Sequence, residues 1–115
     1  MQRLGALFIF GIMVAVSSPA FALTATWKNN TEPDMKDYLV YMCKVKGCVV
    51  QQVPAQHVAT VPFNAAVVPT WVMPSDIEGT LAVTARDTSG NESGLSNQVP
   101  FDLSKPSTPS GLATK

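Results

Sequence analysis

The sequence predicts a small all-β domain built as a two-sheet sandwich. The chain has 115 residues, the size of a single domain. Charged residues make up only 14%, while seven Gly and nine Pro supply frequent turns, a composition that favours a small β domain over a helical bundle or a disordered tail. Beyond the first segment the chain reads as roughly six or seven short strands with loops between them and without sustained helical spacing, which is typical of a sandwich.

The first segment has the pattern of a secretory signal peptide, residues 1–22. Arg3 supplies a positive charge, Leu4–Val16 is free of charged residues, and Ser17–Ala22 ends in Ala-Phe-Ala. The alternatives are a retained membrane anchor and lipid attachment. A helix over the apolar run spans only about 20 Å of a ~30 Å bilayer core, and no Cys follows the run. We therefore expect a protein that is periplasmic or extracellular, with no stable membrane insertion after cleavage.

The mature chain opens with two strands of alternating pattern. Leu23, Ala25 and Trp27 share one face of the first strand. A polar loop follows over 28–36, and Asp37–Cys43 forms the next strand. On that strand Tyr38, Val40 and Met42 lie on one face, while Leu39, Tyr41 and Cys43 lie on the other.

The expected state of the two cysteines depends on whether the protein is exported. Cys43 and Cys48 bracket the short segment Lys-Val-Lys-Gly, and outside the cytoplasm such a pair most simply forms a disulfide. We expect a hairpin in which Cys48–Val53 returns antiparallel, with the bridge contributing about 1–2 kcal/mol. Two free thiols, a metal pair with His57 and a redox pair are the alternatives, although redox pairs have a shorter spacing.

The later strands are shorter, because prolines interrupt the chain over 54–74. Each Pro lacks a ladder donor, so strands here belong at sheet edges. The predicted strands are Val58–Val61, Thr70–Met73, Thr80–Arg86 with Leu81, Val83 and Ala85 inward, and, after a turn over Asp87–Glu92, Asn97–Phe101.

Two stretches resemble the fibronectin type III family. Residues 23–41, LTATWKNNTEPDMKDYLVY, carry Trp27, Pro33, Asp34, Tyr38 and Val40 where the family has an inward Trp on its second strand, a polar loop and a Tyr-x-Val strand. Residues 81–99, LAVTARDTSGNESGLSNQV, resemble its sixth strand, loop and last strand. The resemblance implies an immunoglobulin-like sandwich over 23–104.

The chain departs from the family at two places. The family usually has a Tyr at the corner before its sixth strand, where this chain has 77–79, Ile-Glu-Gly; we expect the corner to be held otherwise, for instance by Trp71. The family also begins with an A strand, which is missing if the signal peptide ends at Ala22. A similar Pro-x-x-Pro-x-x-Leu segment lies in the tail, 105–115, which is a linker, the start of a further domain or a donated strand.

Catalytic residues are not evident in the sequence. His57 is the sole histidine, and no G-x-S-x-G nucleophile elbow is present. Glu32 with Asp34 and Asp87 with Glu92 offer carboxylate pairs for a glycosidase, but we expect both pairs to be solvated loop acids, with a weak calcium site as a further alternative. We expect no enzyme activity, no cofactor and no metal site. Since eight basic residues balance eight acidic ones, we also expect no nucleic-acid partner.

We therefore expect a secreted, non-catalytic binding or spacer module whose partner is a protein or a polysaccharide. The alternative is a structural subunit that self-associates by strand exchange through its tail. Trp71 is either a core residue or an exposed aromatic platform. Loops on a rigid sandwich often carry function, and the candidate ligand contacts are Asn29, Asn30, Glu32, Asp34, Thr88, Asn91, Glu92 and Trp71.

Overall fold

A computed structural model describes residues 13–17 and 22–114 and confirms an all-β architecture of two antiparallel sheets. In the described residues one short 3-10 helix, Pro54–Gln56, is the only helical element. One sheet has the order β1-β2-β5 and the other the order β4-β3-β6-β7. The strands are β1 (Met13–Ser17), β2 (Ala22–Thr26), β3 (Met35–Cys43), β4 (His57–Pro62), β5 (Thr70–Val72), β6 (Glu78–Asp87) and β7 (Val99–Asp102).

The first strand lies inside the predicted signal peptide, 1–22, of which the structure describes only Met13–Ser17 and Ala22. β1 pairs antiparallel with β2, in a register that runs from Met13 opposite Thr26 to Ser17 opposite Ala22. The expectation of a missing A strand is therefore wrong for the uncleaved chain. The physical reason is that the outer edge of β2 presents backbone donors and acceptors, and an adjacent extended segment pairs with them.

The two sheets share one apolar core, to which each contributes alternate residues. Trp27, which follows β2, is 2% exposed, and its ring meets that of Tyr38 edge-on at a centroid distance of 5.4 Å. The predicted inward faces of β3 and β6 are confirmed, because Val40, Leu81 and Val83 belong to the same cluster. The buried members are Ala25, Trp27, Tyr38, Val40, Met42, Met73, Leu81, Val83 and Phe101.

The opposite face of β3 is also buried, and a chain segment covers it. Leu39, Tyr41 and Cys43 cluster there with Val50, which is 2% exposed. The predicted return strand Cys48–Val53 is wrong: this segment has no strand, and β4 takes the place beside β3. The amide of Gln98 receives a bond from Val50 N (2.9 Å) and donates one to Val50 O (3.1 Å), so a side chain replaces the missing ladder.

The cysteine turn forms as predicted. The sulfur atoms of Cys43 and Cys48 lie at disulfide distance, with Cα atoms 6.2 Å apart. Cys48 N donates to Val45 O at 3.0 Å, and Gly47 adopts a φ of +76°, which its lack of a Cβ permits. The turn therefore redirects the chain from β3 across the outer face of its own sheet.

The proline-interrupted strands lie at sheet edges, as predicted: β4 is an edge of one sheet and β5 an edge of the other. The last strand, β7, begins later than expected, because two serines take over pairing beside β6. Ser93 Oγ accepts from Ala85 N at 2.9 Å and Ser96 Oγ from Val83 N at 3.0 Å. These hydroxyls satisfy backbone donors that a regular strand would otherwise pair.

The corner before β6 is held by hydrogen bonds from backbone N–H groups of the segment after β7. Leu103 N donates to Ile77 O at 2.7 Å, and Lys105 N donates to Asp76 Oδ1 at 3.0 Å. Trp71 is partly buried against the core. Beyond Lys105, residues 106–114 form no strand and are exposed.

Candidate functional site

Two loops meet at one end of the sheets and enclose an open cleft of about 230 Å³. One loop follows Trp27 and leads into β3, and the other follows β6. They are joined by Thr88 N, which donates to Asp34 O at 2.9 Å. Five of the eight candidate ligand contacts line this cleft. The lining residues are Asn30, Glu32, Asp34, Met35, Ala85, Asp87, Asn91, Glu92 and Ser93.

The first loop is anchored by the hydroxyl of Tyr38, which sequence reasoning placed only in the core. The hydroxyl donates to Asn29 Oδ1 at 2.7 Å and accepts from Asn30 N at 2.8 Å. Burial raises the pKa of Tyr38, the bond from Asn30 lowers it in part, and the charge of Glu32 raises it. The Tyr38 hydroxyl is therefore neutral at ordinary pH and holds the loop through these two hydrogen bonds.

Asn29 holds the first loop in place and does not line the cleft. Its Nδ2 donates to the carbonyl oxygens of Asn64 and Val67, each at 2.9 Å. With its Oδ1 occupied by Tyr38, the whole side-chain amide is engaged inside the protein. Of the candidates in this loop, Asn30, Glu32 and Asp34 are the ones that line the cleft.

The second loop is shaped by Asp87. Its Oδ1 accepts from the backbone N–H groups of Asn91 (2.8 Å) and Ser89 (3.0 Å), and its Oδ2 accepts from Asn91 Nδ2 at 3.1 Å. Gly90 adopts a φ of +91° within this turn. The hydrogen bonds, chiefly that from the Asn91 side chain, lower the pKa of Asp87. Asp87 and Asn91 therefore build the turn, although both border the cleft.

Glu92 is also engaged in internal hydrogen bonds and is therefore not available to a ligand. Its Oε2 accepts hydrogen bonds from the hydroxyls of Tyr41 and, at 2.7 Å, Thr84. Burial acts to raise the pKa of Glu92, but the bonds from Tyr41, Thr84 and Gln52 outweigh it, and the pKa is lowered. Burial and the bond to Glu92 raise the pKa of Tyr41 to about 12. No sequence pattern indicated this pairing, since Tyr41 and Glu92 are 51 residues apart.

Glu32 and Asp34 are the carboxylates of the cleft that remain uncommitted. Within the described part of the chain, neither side chain forms a hydrogen bond or an ion pair. The lining contains four carboxylates and no Lys, Arg or His. No group of three or more His, Cys, Asp or Glu in residues 13–17 and 22–114 is arranged to hold a metal ion. The cleft is therefore an acidic surface with two available charges.

Two further candidates lie outside this surface. Thr88 contributes its backbone to the contact between the loops but does not line the cleft. Trp71 lies on β5 and packs partly buried against the core, as the core alternative predicted. The cleft consequently has no aromatic platform among its lining residues.

His57 and an Arg86–Asp37 ion pair lie apart from the cleft lining. The His57 imidazole lies 2.9 Å from Ala59 O and 3.1 Å from Thr60 Oγ1, and its ring contacts that of Tyr41. Arg86 binds Asp37 through two hydrogen bonds of 2.7 and 2.9 Å, which raise the pKa of the guanidinium. These contacts bind β4 and β6 to β3.

No protein-family model, curated protein or solved structure matches this chain. The stretch of chain that the structure describes contains no helix with the length and apolar character needed to cross a bilayer.

Proposed function

We propose that the chain is a secreted, non-catalytic binding module with the fibronectin type III fold, which acts in the bacterial envelope or outside the cell. The strand order supports the fold. Trp27 follows the second strand and Tyr38 lies on the third, while residues 81–87 belong to the sixth. These are the places that the resemblance gives to the inward Trp, the Tyr-x-Val strand and the sixth strand.

Two observations support export. Residues 1–22 have the charge, apolar run and small residues of a cleaved signal peptide. The cysteine pair at disulfide distance suits an oxidising compartment, because thiols are kept reduced in the cytoplasm.

The single observation that carries the binding function is the uncommitted carboxylate pair of Glu32 and Asp34 in the cleft. A partner segment with Lys or Arg side chains would neutralise these charges and displace little structure, because Tyr38 and Asp87 already fix both loops. A polysaccharide is the weaker choice, since sugar recognition uses exposed aromatic faces and Trp71 lies elsewhere. The partner is therefore expected to be a protein with a basic segment.

The same contacts argue against Asp87 with Glu92 as the carboxylate pair of a glycosidase. A general acid in such an enzyme has a raised pKa, whereas the pKa values of Asp87 and Glu92 are both lowered. Their oxygens are also occupied by Asn91 and by Tyr41 with Thr84.

The test is an NMR titration of the isotope-labelled exported protein with tetralysine, compared with an uncharged tetrasaccharide. We expect salt-sensitive shifts from tetralysine that are confined to 30–35 and 85–93, and none from the sugar. The double change Glu32→Lys and Asp34→Lys should abolish them. Glu78→Lys, at the far end of β6, is the control for a single charge reversal outside the cleft and should not. Equal responses in all three proteins would refute the cleft as the binding surface.

A further inference from the structure

The structure points to a second interaction surface, at the edge of β2 that β1 covers. In the uncleaved chain every residue of β1 pairs with β2. This inference rests on the proposed cleavage after Ala22. That cut removes β1 from the mature protein and exposes the outer edge of β2, while β5 still covers the other edge.

We propose that in the mature protein this edge is filled by residues Ser110–Thr114 of a second copy of the chain. The segment follows Pro109 and contains no further proline, so every residue in it has a backbone donor. It is as long as β1. In the uncleaved chain β2 thus pairs with a strand of five residues, the same length as the tail segment Ser110–Thr114.

Leu112 gives the segment its apolar anchor. Its side chain is 98% exposed, the highest exposure among the large hydrophobic residues of the described chain. Cross-strand neighbours share a face of the sheet. A register that sets Leu112 opposite Ala25 places its side chain on the core face, because Ala25 is fully buried there. Burial of Leu112 in this position supplies a driving force that a solvated tail lacks.

The donor must be a second copy, because the tail begins in the wrong place to serve its own β2. The hydrogen bonds of Leu103 N to Ile77 O and of Lys105 N to Asp76 Oδ1 fix its first residues. Asp76 follows β5, whose final end lies beside the start of β2, where Met73 N donates to Leu23 O. A tail leaving from this end would run parallel to its own β2, whereas β1 runs antiparallel.

Exchange between two copies reproduces the antiparallel arrangement. Each copy donates its tail to the β2 edge of the other, and the reciprocal exchange closes a two-fold dimer instead of an open fibre. The added strand forms main-chain hydrogen bonds to β2, as in other cases of strand addition to a sheet edge. The mature protein is then a dimer in which neither outer edge of β2 is open.

The experiment uses the full chain, expressed with its own leader and recovered from the envelope fraction. Intact mass establishes whether the chain begins at Leu23, and light scattering after size-exclusion chromatography gives the assembly state. Leu112→Asp is the test variant, and Thr108→Asp, in the Pro-bounded part of the tail, is the control. Since Leu112 is solvated in a single chain, its substitution should leave the monomer folded.

We expect a dimer that begins at Leu23, unchanged by Thr108→Asp and at least about tenfold weaker in self-association with Leu112→Asp. Hydrogen exchange should show protection of the β2 amides that face the outer edge, and Leu112→Asp should remove it, whereas the amide of Trp27, which donates to Pro69 O, should stay protected. A chain that still carries 1–22 would refute the cleavage on which the inference rests. A monomer that begins at Leu23, or a dimer insensitive to Leu112→Asp, would overturn strand donation alone.

Discussion

Gly79 is the position where one added methyl group tests the packing of the second sheet most sharply. Gly79 lies in β6 against the end of β3. A Cβ placed there would lie 1.8 Å from the carbonyl oxygen of Cys43 and 2.9 Å from its carbonyl carbon, while ordinary contacts begin at 3.4 Å. The variant Gly79→Ala therefore forces two backbones apart by more than about 1 Å, and no flexible side chain can relieve the clash.

The expected cost follows from this geometry. Overpacking a well-packed interior costs about 1–3 kcal/mol, and a clash with backbone belongs at the upper end. For a domain of this size, about 3 kcal/mol corresponds to a fall in Tm of roughly 12–24 °C. Thermal unfolding followed by circular dichroism, together with urea unfolding, measures both quantities.

Gly94→Ala is the matched control. No atom lies within 4 Å of the site of its Cβ, and its φ is not in the left-handed range, so we expect a change within about 0.5 kcal/mol. If Gly79→Ala melts at the same temperature as Gly94→Ala, the close approach of β6 to Cys43 is absent and the reasoning is refuted.

Three further predictions concern the disulfide and the pH limits of stability. Replacing Cys43 and Cys48 together by Ser should cost about 1–2 kcal/mol in urea unfolding, and alkylation of the native protein without reductant should label neither thiol; ready labelling would contradict the bridge. Because the pKa of Tyr41 is raised to about 12, the stability that the neutral Tyr41 contributes should be fully present below about pH 10 and lost as pH rises from there to about 12. Tyr41→Phe should reduce this loss of stability at high pH, and an unchanged dependence of the unfolding free energy on pH above about 10 would count against it. Because the pKa of Asp87 is lowered, the stability that the ionised Asp87 contributes should be present above about pH 4 and lost as pH falls through its folded pKa. The unfolding free energy of Asp87→Asn should fall less steeply with decreasing pH, and a slope equal to that of the wild type would disprove this role.

Local alternation was sufficient to predict the strands that form the core. Leu23, Ala25 and Trp27, like Tyr38, Val40 and Met42, follow the period-two pattern that a half-buried strand imposes, and all six belong to the core or pack against it. Prolines likewise located the edge strands, because a missing donor is tolerated there.

The features that the sequence did not predict depend on distant side chains. The return strand after Cys48 was a reasonable local interpretation, but Gln98 binds Val50 across 48 residues and holds the segment over the sheet. Ser93 and Ser96 delay β7 through their hydroxyls. Neither effect leaves a periodic signal in the chain, since each depends on one polar group reaching a backbone atom.

The candidate site shows the same limit. Turn composition identified the two loops but did not predict that they meet at one cleft, and residue type alone did not separate structural from available side chains. Asn29, Asn91 and Glu92 are engaged in internal hydrogen bonds. Among the described residues, the side chains of Glu32 and Asp34 form no such bond. That distinction requires the positions of Tyr38, Asp87 and Tyr41.

The intact mass of the protein recovered from the envelope fraction tests the central claim, export of a disulfide-bonded module, most directly. The chain should be expressed with its own leader and measured before and after reduction. The account predicts a chain that begins at Leu23 and gains two hydrogens on reduction, as Cys43 and Cys48 separate. A chain that retains residues 1–22, or one whose mass does not change with reductant, would contradict it.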